Sequence, residues 1–168
     1  PFLAPGFYKL DLSELPVLIG TFAMGPVAGI AIEFVKILLN LLINGTTTAY
    51  VGELGNFIVG CAFLIPAGII YWRKKTFKRA VIALVVGGLT MVVAGSLMNA
   101  YVLLPLYASA FGGMQNIIAA GTAVNGHITS VATFVLLAVA PFNLVKAVLV
   151  SVLTLLLYKR ISVLLKKF

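Results

Sequence analysis

The sequence predicts an all-α integral membrane protein, a helical bundle forming a single transmembrane domain over residues 1–168. Three observations lead there. Hydrophobic residues make up 62% of the 168 and charged residues only 10%, more apolar surface than a water-soluble domain of this length can hide. Several apolar runs reach about 20 residues, the length that crosses a hydrocarbon core of ~30 Å. Nine of the twelve Lys and Arg residues fall in two short tracts, Tyr71–Arg79 and Tyr158–Phe168, and both flank apolar runs. That placement is the positive-inside pattern of cytoplasmic loops, aided by anionic lipid. The formal charge of +8 therefore reads as membrane topology, and no nucleic-acid partner is expected.

The elements follow in order. PFLAPG opens as an irregular segment, punctuated by Pro and Gly. Ser13 suits an N-cap and Pro16 a first turn, which predicts a short helix over about 13–24. It is too short to cross a bilayer upright, so it is expected to tilt or pack inside the bundle. Gly25-Pro26 breaks it, and a second helix covers 26–43. Gly25 and Gly29 form a small-xxx-small pair that permits close helix approach. Glu33 and Lys36 are spaced to pair across one turn, as an internal ion pair or, alternatively, as a ligand contact. Asn44–Tyr50 is a polar turn.

A third helix over 52–72 opens with Glu53, where a carboxylate suits the helix dipole. Asn56 and Gly60 fit either helix packing or pocket lining. Tyr71 and Trp72 sit where an interfacial aromatic belt belongs. The fourth helix, over 80–104, carries Gly87, Gly88 and Gly95 as close-packing positions and Asn99 near its far end, with Pro105 ending it. Residues 105–133 are Gly-rich and polar at both ends around IIAA. They predict a long extracytoplasmic loop with a short interfacial helix. His127, the only histidine, reads as a solvated loop residue. Cys61, the only cysteine, cannot form an internal disulfide and reads as a small buried hydrophobe.

The last helix, over 134–158, is apolar almost throughout, yet it contains APFNLVKAV (Ala140–Val148). Asn143 and Lys146 lie three residues apart and share a face. An ammonium at that depth costs ~2.5 kcal/mol or more in lipid, so Lys146 must face a protein interior, a wet cavity or a ligand. With both basic tracts inside, Asn99, Asn143 and Lys146 fall in the outer half of the membrane. Glu53 and Asn56 lie near the same side, and FYKLD is outside. Polar groups from four segments thus meet at one level, which predicts a pocket opening outward.

Asn places an amide donor beside a carbonyl acceptor. Two Asn residues and an ammonium suit a flat heterocycle with alternating carbonyls and ring N–H groups. Tyr8, Tyr101, Tyr107 and Phe142 are candidates for aromatic walls. The sequence contains no phosphate loop or catalytic triad pattern, so an ATPase would have to be another chain.

YKLDLSELPVLIGTFAMGPVAGI, GELGNFIVG, MNAYVLLPLYASAFGG and APFNLVKAV together resemble the riboflavin-specific substrate-binding components of energy-coupling factor (ECF) transporters. The similarity covers nearly the whole chain. APFNxxK and KxDxSxxPxLxG are its specific parts, and the Gly-Pro-Val-Ala-Gly stretch is shared more loosely. The resemblance implies a six-helix bundle of which five helices are visible here, the sixth (the first in the family) lying before Pro1. It implies that Asn99, Asn143 and Lys146 contact the isoalloxazine ring. It also implies that residues 1–12, with Tyr8, Lys9, Leu10 and Asp11, cover the pocket near the ribityl chain. Asn56 and Tyr107 complete the candidate lining.

The implied partners are riboflavin as transported ligand, with no cofactor, a transmembrane coupling protein, two cytoplasmic ATPase subunits and membrane lipid. The implied place is the plasma membrane, multi-pass, with the basic C-terminus cytoplasmic, and the loaded bundle would reorient to deliver its ligand. The chain departs from the family at Leu12 and Glu14, where Phe and Asp are usual. The absent first helix carries the family's docking residues. Three alternatives remain at this level: a binding component for another heterocyclic vitamin, a small intramembrane enzyme using Asp11, Glu14, Glu53 and His127, and a structural scaffold. The last leaves Lys146 unexplained.

Overall fold

In the computed structural model, which describes residues 12–46, 50–110 and 112–165, helix follows helix, with no strand among the described residues. The short α1 (Glu14–Met24) begins after Ser13, which takes the cap position in helical geometry without a side-chain cap bond. Gly25 follows with φ 97°, a conformation that glycine adopts without steric cost. It turns the chain directly into α2 (Pro26–Asn44), whose Pro lies at the first position, where a missing N–H loses no helical bond. α3 (Val51–Arg73) and α4 (Phe77–Met98) are joined by the basic loop. Thr76 Oγ1 accepts the Arg79 N–H at 3.3 Å, and this cap starts α4 three residues before the expected Ala80.

Pro105 does not end the fourth helix. The backbone passes through a π-helical segment, Asn99–Leu103, and continues as α5 (Leu104–Ala110). In regular α-geometry the proline ring collides with the carbonyl four residues back. The wider π turn just before Pro105 relieves that crowding, so the helix goes on. The last helix repeats the arrangement. A capping box between Ser130 and Thr133 opens α7 (Val131–Phe134), a π segment follows at Val135–Val139, and α8 (Ala140–Leu165) carries Pro141 in its first turn. This helix therefore starts at Val131, not at 134. Within the expected 105–133 loop, α6 (Met114–Val124) contains IIAA and packs on α5.

Among the described residues, four stretches are long and apolar enough to cross a membrane: Pro26–Asn44, Val51–Arg73, Phe77–Ser109 and Val131–Tyr158. Among the described helices, packing closes a ring in the order α1, α2, α3, α4, α8 and back to α1, with α1 also against α3. Small residues set the closest approaches. A Cβ on Gly87 would stand 2.7 Å from the Phe63 carbonyl oxygen, and one on Gly29 would overlap the Thr21 side chain. α2 turns Val27, Phe34, Leu39, Leu42 and Ile43 outward, an apolar face suited to lipid.

Two apolar clusters fill the bundle. The first includes Val17, Phe22, Phe63, Leu84, Met91 and Val150, and the second Leu103, Leu104, Tyr107, Phe134 and Val139. At the end of the first cluster Tyr71 and Tyr158 bring their hydroxyls to 3.1 Å. Along the fourth helix the buried members of the first cluster end at Met91, and those of the second begin at Leu103. Along the last helix the second ends at Val139 and the first resumes at Ala147. Asn99, Asn143 and Lys146 occupy these two gaps. The fold therefore places the polar residues of separate helices in one seam between two dry layers.

Candidate functional site

A polar side chain in an apolar helix interior has no water to turn to, so its partner must come from the bundle. Among the described residues, Glu14, Thr21, Glu33, Asn99, Asn143, Lys146 and Thr154 are buried. Thr21 and Thr154 donate to carbonyls of their own helices, at 2.8 Å to Val17 and 2.7 Å to Val150. The other five form the seam.

Lys146, 3% exposed, donates to Glu14 Oε1 at 3.1 Å. The same oxygen accepts from Lys36 Nζ at 2.9 Å, and Lys36 Nζ lies 2.8 Å from Glu33 Oε1. The chain Glu33–Lys36–Glu14–Lys146 thus links α2 to α1 and α1 to α8. Two ammoniums and two carboxylates cancel, which is the condition for keeping charges in an apolar interior. Gly60 of α3 closes one side. A Cβ there would overlap Glu33 Oε1 and stand 3.5 Å from Glu14 Oε1.

The two carboxamides meet at Gly95. Asn99 Nδ2 donates to the Gly95 carbonyl at 2.8 Å, and a Cβ on Gly95 would come within 2.7 Å of Asn143 Nδ2. Both carboxamides therefore lie near Gly95, where α4 meets α8, and Lys146 follows one turn along from Asn143. Both Asn residues sit beside a π segment: Asn99 opens the first, and Asn143 comes four residues after the second. Such segments recur at functional sites, where they re-aim side chains. The wall so formed offers amide donors, an amide acceptor and an ammonium within a few turns, a set able to hold a planar heterocycle by its polar edge.

The remaining candidates fall in different places. Asn56 is half-buried on α3, one turn before Gly60, on the face that meets the carboxylates. Tyr107 is buried in the second apolar cluster, with Phe142 packed against that cluster, so both can back the seam. Tyr101 is 78% exposed, and its expected role as an aromatic wall is withdrawn. Asn99 and Leu103 face inward, which turns the residue midway between them out of the bundle. Tyr8, Lys9, Leu10 and Asp11 lie outside the described residues. Glu53 accepts from Thr46 Oγ1 at 3.2 Å and His127 is exposed. No metal-holding group of three His, Cys, Asp or Glu occurs among the described residues.

Sequence reasoning missed the role of Glu14. It stood only as a departure from a family pattern and as one acid among several, never as the partner of Lys146. A signal existed: a buried ammonium needs a carboxylate, and the chain has only four acidic residues.

Comparisons with known proteins agree with this architecture. The family model "ECF transporter, substrate-specific component" matches residues 1–158. The chain is 36% identical over 167 residues to the riboflavin transporter RibU of Staphylococcus aureus, covering 99% of this chain and 81% of that one. It is 28% identical over 149 residues to the riboflavin transporter FmnP of Bacillus subtilis, covering 88% and 73%. Among solved structures it superposes on the S component of a bacterial ECF transporter with a TM-score of 0.72 and 34% identity, covering 99% of this chain and 84% of that one.

Proposed function

Since the chain belongs to the substrate-specific components of ECF transporters, we propose that it is the riboflavin-capturing subunit of a vitamin importer. The observation that carries this is the seam wall: Asn99 and Asn143 gathered at Gly95 with Lys146 one turn away. The isoalloxazine ring presents carbonyls and a ring N–H along one edge, which amide groups and an ammonium can match. The relatives' ligand supports the same choice.

In this reading the pocket opens away from the two basic tracts, and the basic C-terminus is cytoplasmic. The chain performs no chemistry on riboflavin. A transmembrane coupling protein and two cytoplasmic ATPases supply the energy, and the loaded bundle reorients to release its ligand inward.

Lys146 is spoken for by Glu14 at 3.1 Å, so a ligand carbonyl has to share or take one of its protons. An ammonium has three to give, so sharing is feasible without breaking the ion chain.

The test is a titration of the purified protein with riboflavin, followed by quenching of flavin fluorescence. Saturable quenching at micromolar ligand or below is expected. Lys146→Ala and Asn143→Ala should each raise Kd by about tenfold or more, because either leaves polar ligand atoms unmatched. Absence of binding by the parent protein refutes the function. Unchanged affinity in both variants moves the pocket elsewhere.

A further inference from the structure

The loop between α3 and α4 gathers Arg73, Lys74, Lys75, Lys78 and Arg79 with no acid among them. It joins two of the membrane-crossing stretches, Val51–Arg73 and Phe77–Ser109, so it sits at the boundary between membrane and water. Among the described residues, none of these cations pairs with a carboxylate of the chain. Glu14 and Glu33 are engaged by Lys36 and Lys146. Glu53 opens α3 at its other end, about 30 Å of helix away from Arg73.

The cations divide into two sets. Lys75 lies over the Trp72 ring at 5.2 Å, and Trp72 packs on the Gly25 turn, where a Cβ would meet its ring at 3.0 Å. Lys74, Lys78 and Arg79 instead line an open groove of about 580 Å³ together with Thr76 and Ile82. Backbone bonds hold the loop in shape: the Lys74 N–H donates to the Tyr71 carbonyl at 3.2 Å and the Thr76 N–H to the Lys74 carbonyl at 2.9 Å. Thr76 already caps α4, so the side chains, not the helix end, make the groove. In that cap Thr76 Oγ1 is the acceptor, which leaves its own O–H to give. Three cations and a hydroxyl around one groove match the oxygens of a phosphodiester.

The surface next to the groove says what that phosphodiester carries. Ile82 lies four residues from Lys78, on the same face of α4. Val85, Val86, Leu89 and Val93 continue that face, and all are exposed. Ile82 to Val93 spans about 16 Å of helix, close to one leaflet of a ~30 Å core. The polar groove therefore opens onto an apolar track as long as an acyl chain. A free phosphate would leave the track unused, whereas a phospholipid fills both.

We propose that this face is a discrete site for an anionic glycerophospholipid, its phosphate held by Lys74, Lys78 and Arg79 and one acyl chain laid along Ile82 to Val93. A zwitterionic headgroup brings its own cation and gains less from the three. The site is independent of the riboflavin reading. It also differs from a general attraction of basic loops to anionic lipid, because Arg73 and Lys75 lie outside it.

The loop carries its own reporter, since Trp72 is the only tryptophan and stands two residues before Lys74. The full chain is placed in nanodiscs of phosphatidylcholine with phosphatidylglycerol, one or the other brominated high in its acyl chains. The ratio of Trp72 quenching by the two gives their relative affinity. The expected result is a preference of about tenfold for phosphatidylglycerol in the parent, nearly abolished in Lys78→Gln/Arg79→Gln and kept within about twofold in Arg73→Gln/Lys75→Gln. Both variants lose two exposed charges from one loop, so folding and net charge are matched; Lys74→Gln alone should lose part of the preference. Soluble glycerophosphate at millimolar concentration should leave the preference intact. Equal losses in the two double variants would reduce the site to a diffuse field and overturn the proposal. So would a parent without preference. Competition by glycerophosphate would make the groove a free-phosphate site and equally overturn it.

Discussion

Glu14→Met removes the carboxylate that Lys36 and Lys146 share at 2.9 and 3.1 Å. Methionine nearly conserves the volume, so the cavity contribution is small and the change isolates charge. Lys36 retains Glu33 at 2.8 Å, whereas Lys146 loses the carboxylate to which it donates. Two independent scales give the cost. An ammonium at the centre of a membrane helix is unfavourable by ~2.5–3.5 kcal/mol on insertion scales, and removing one partner of a buried ion pair costs ~3–5 kcal/mol. They agree on about 3 kcal/mol, a large share of a typical stability of ~5–15 kcal/mol. At ~2–4 °C per kcal/mol for a chain of this size, the melting temperature should fall by about 10 °C. The assay is ligand-free thermal unfolding of the detergent-solubilised protein, followed by helical circular dichroism. Adding Lys146→Met to Glu14→Met removes the ammonium that has lost this carboxylate and should restore part of the loss, a coupling of opposite sign to simple additivity. A Glu14→Met protein melting within ~2 °C of the parent would refute the reasoning, by about 1 kcal/mol or less on the same scale. So would a double variant that melts lower still.

Two glycines separate binding from packing. Gly95→Ala puts a Cβ 2.7 Å from Asn143 Nδ2 and 3.4 Å from Val59 Cγ1; the amide end can shift, so the expected outcome is a stability change of ~1 kcal/mol or less but a rise of about tenfold in riboflavin Kd by titration. Gly87→Ala instead meets the Phe63 carbonyl oxygen at 2.7 Å and the Ala67 Cβ at 3.1 Å. Backbone cannot move cheaply there, so thermal unfolding should reveal a loss of ~1–3 kcal/mol. Binding should stay within about twofold, because Gly87 lies roughly 12 Å along the helix from Gly95.

Composition and the spacing of apolar runs made the membrane bundle legible, and the positions of most helices with it. The boundaries erred where a local device overrode a general rule. Pro105 reads as a stop because an α-helix cannot carry it without strain, but a π turn immediately upstream removes that strain. A π turn adds one residue to a single turn and so shifts the buried face only from that point on, a change too local for the hydrophobic pattern to announce. Thr76 and Ser130 drew each helix start outward by three residues through caps that apolar counting does not register. Tyr101 and Tyr107 looked equivalent as aromatic candidates; only the inward facing of Asn99 and Leu103 separates them.

The seam divides in the same way. Asn143 and Lys146 could be placed on one face because three residues on a helix fix that by geometry alone, and the expense of an ammonium in lipid made Lys146 conspicuous. That Lys146 needs a partner was therefore determined by the sequence. Which partner it takes was decided by the tertiary structure, because Glu14 is 132 residues away and only the packing of α1 against α8 joins them. The pairing of Lys36 with Glu14, 22 residues away, belongs wholly to the second kind. Local chemistry sets what each group requires, and only the closed ring of helices sets which group supplies it.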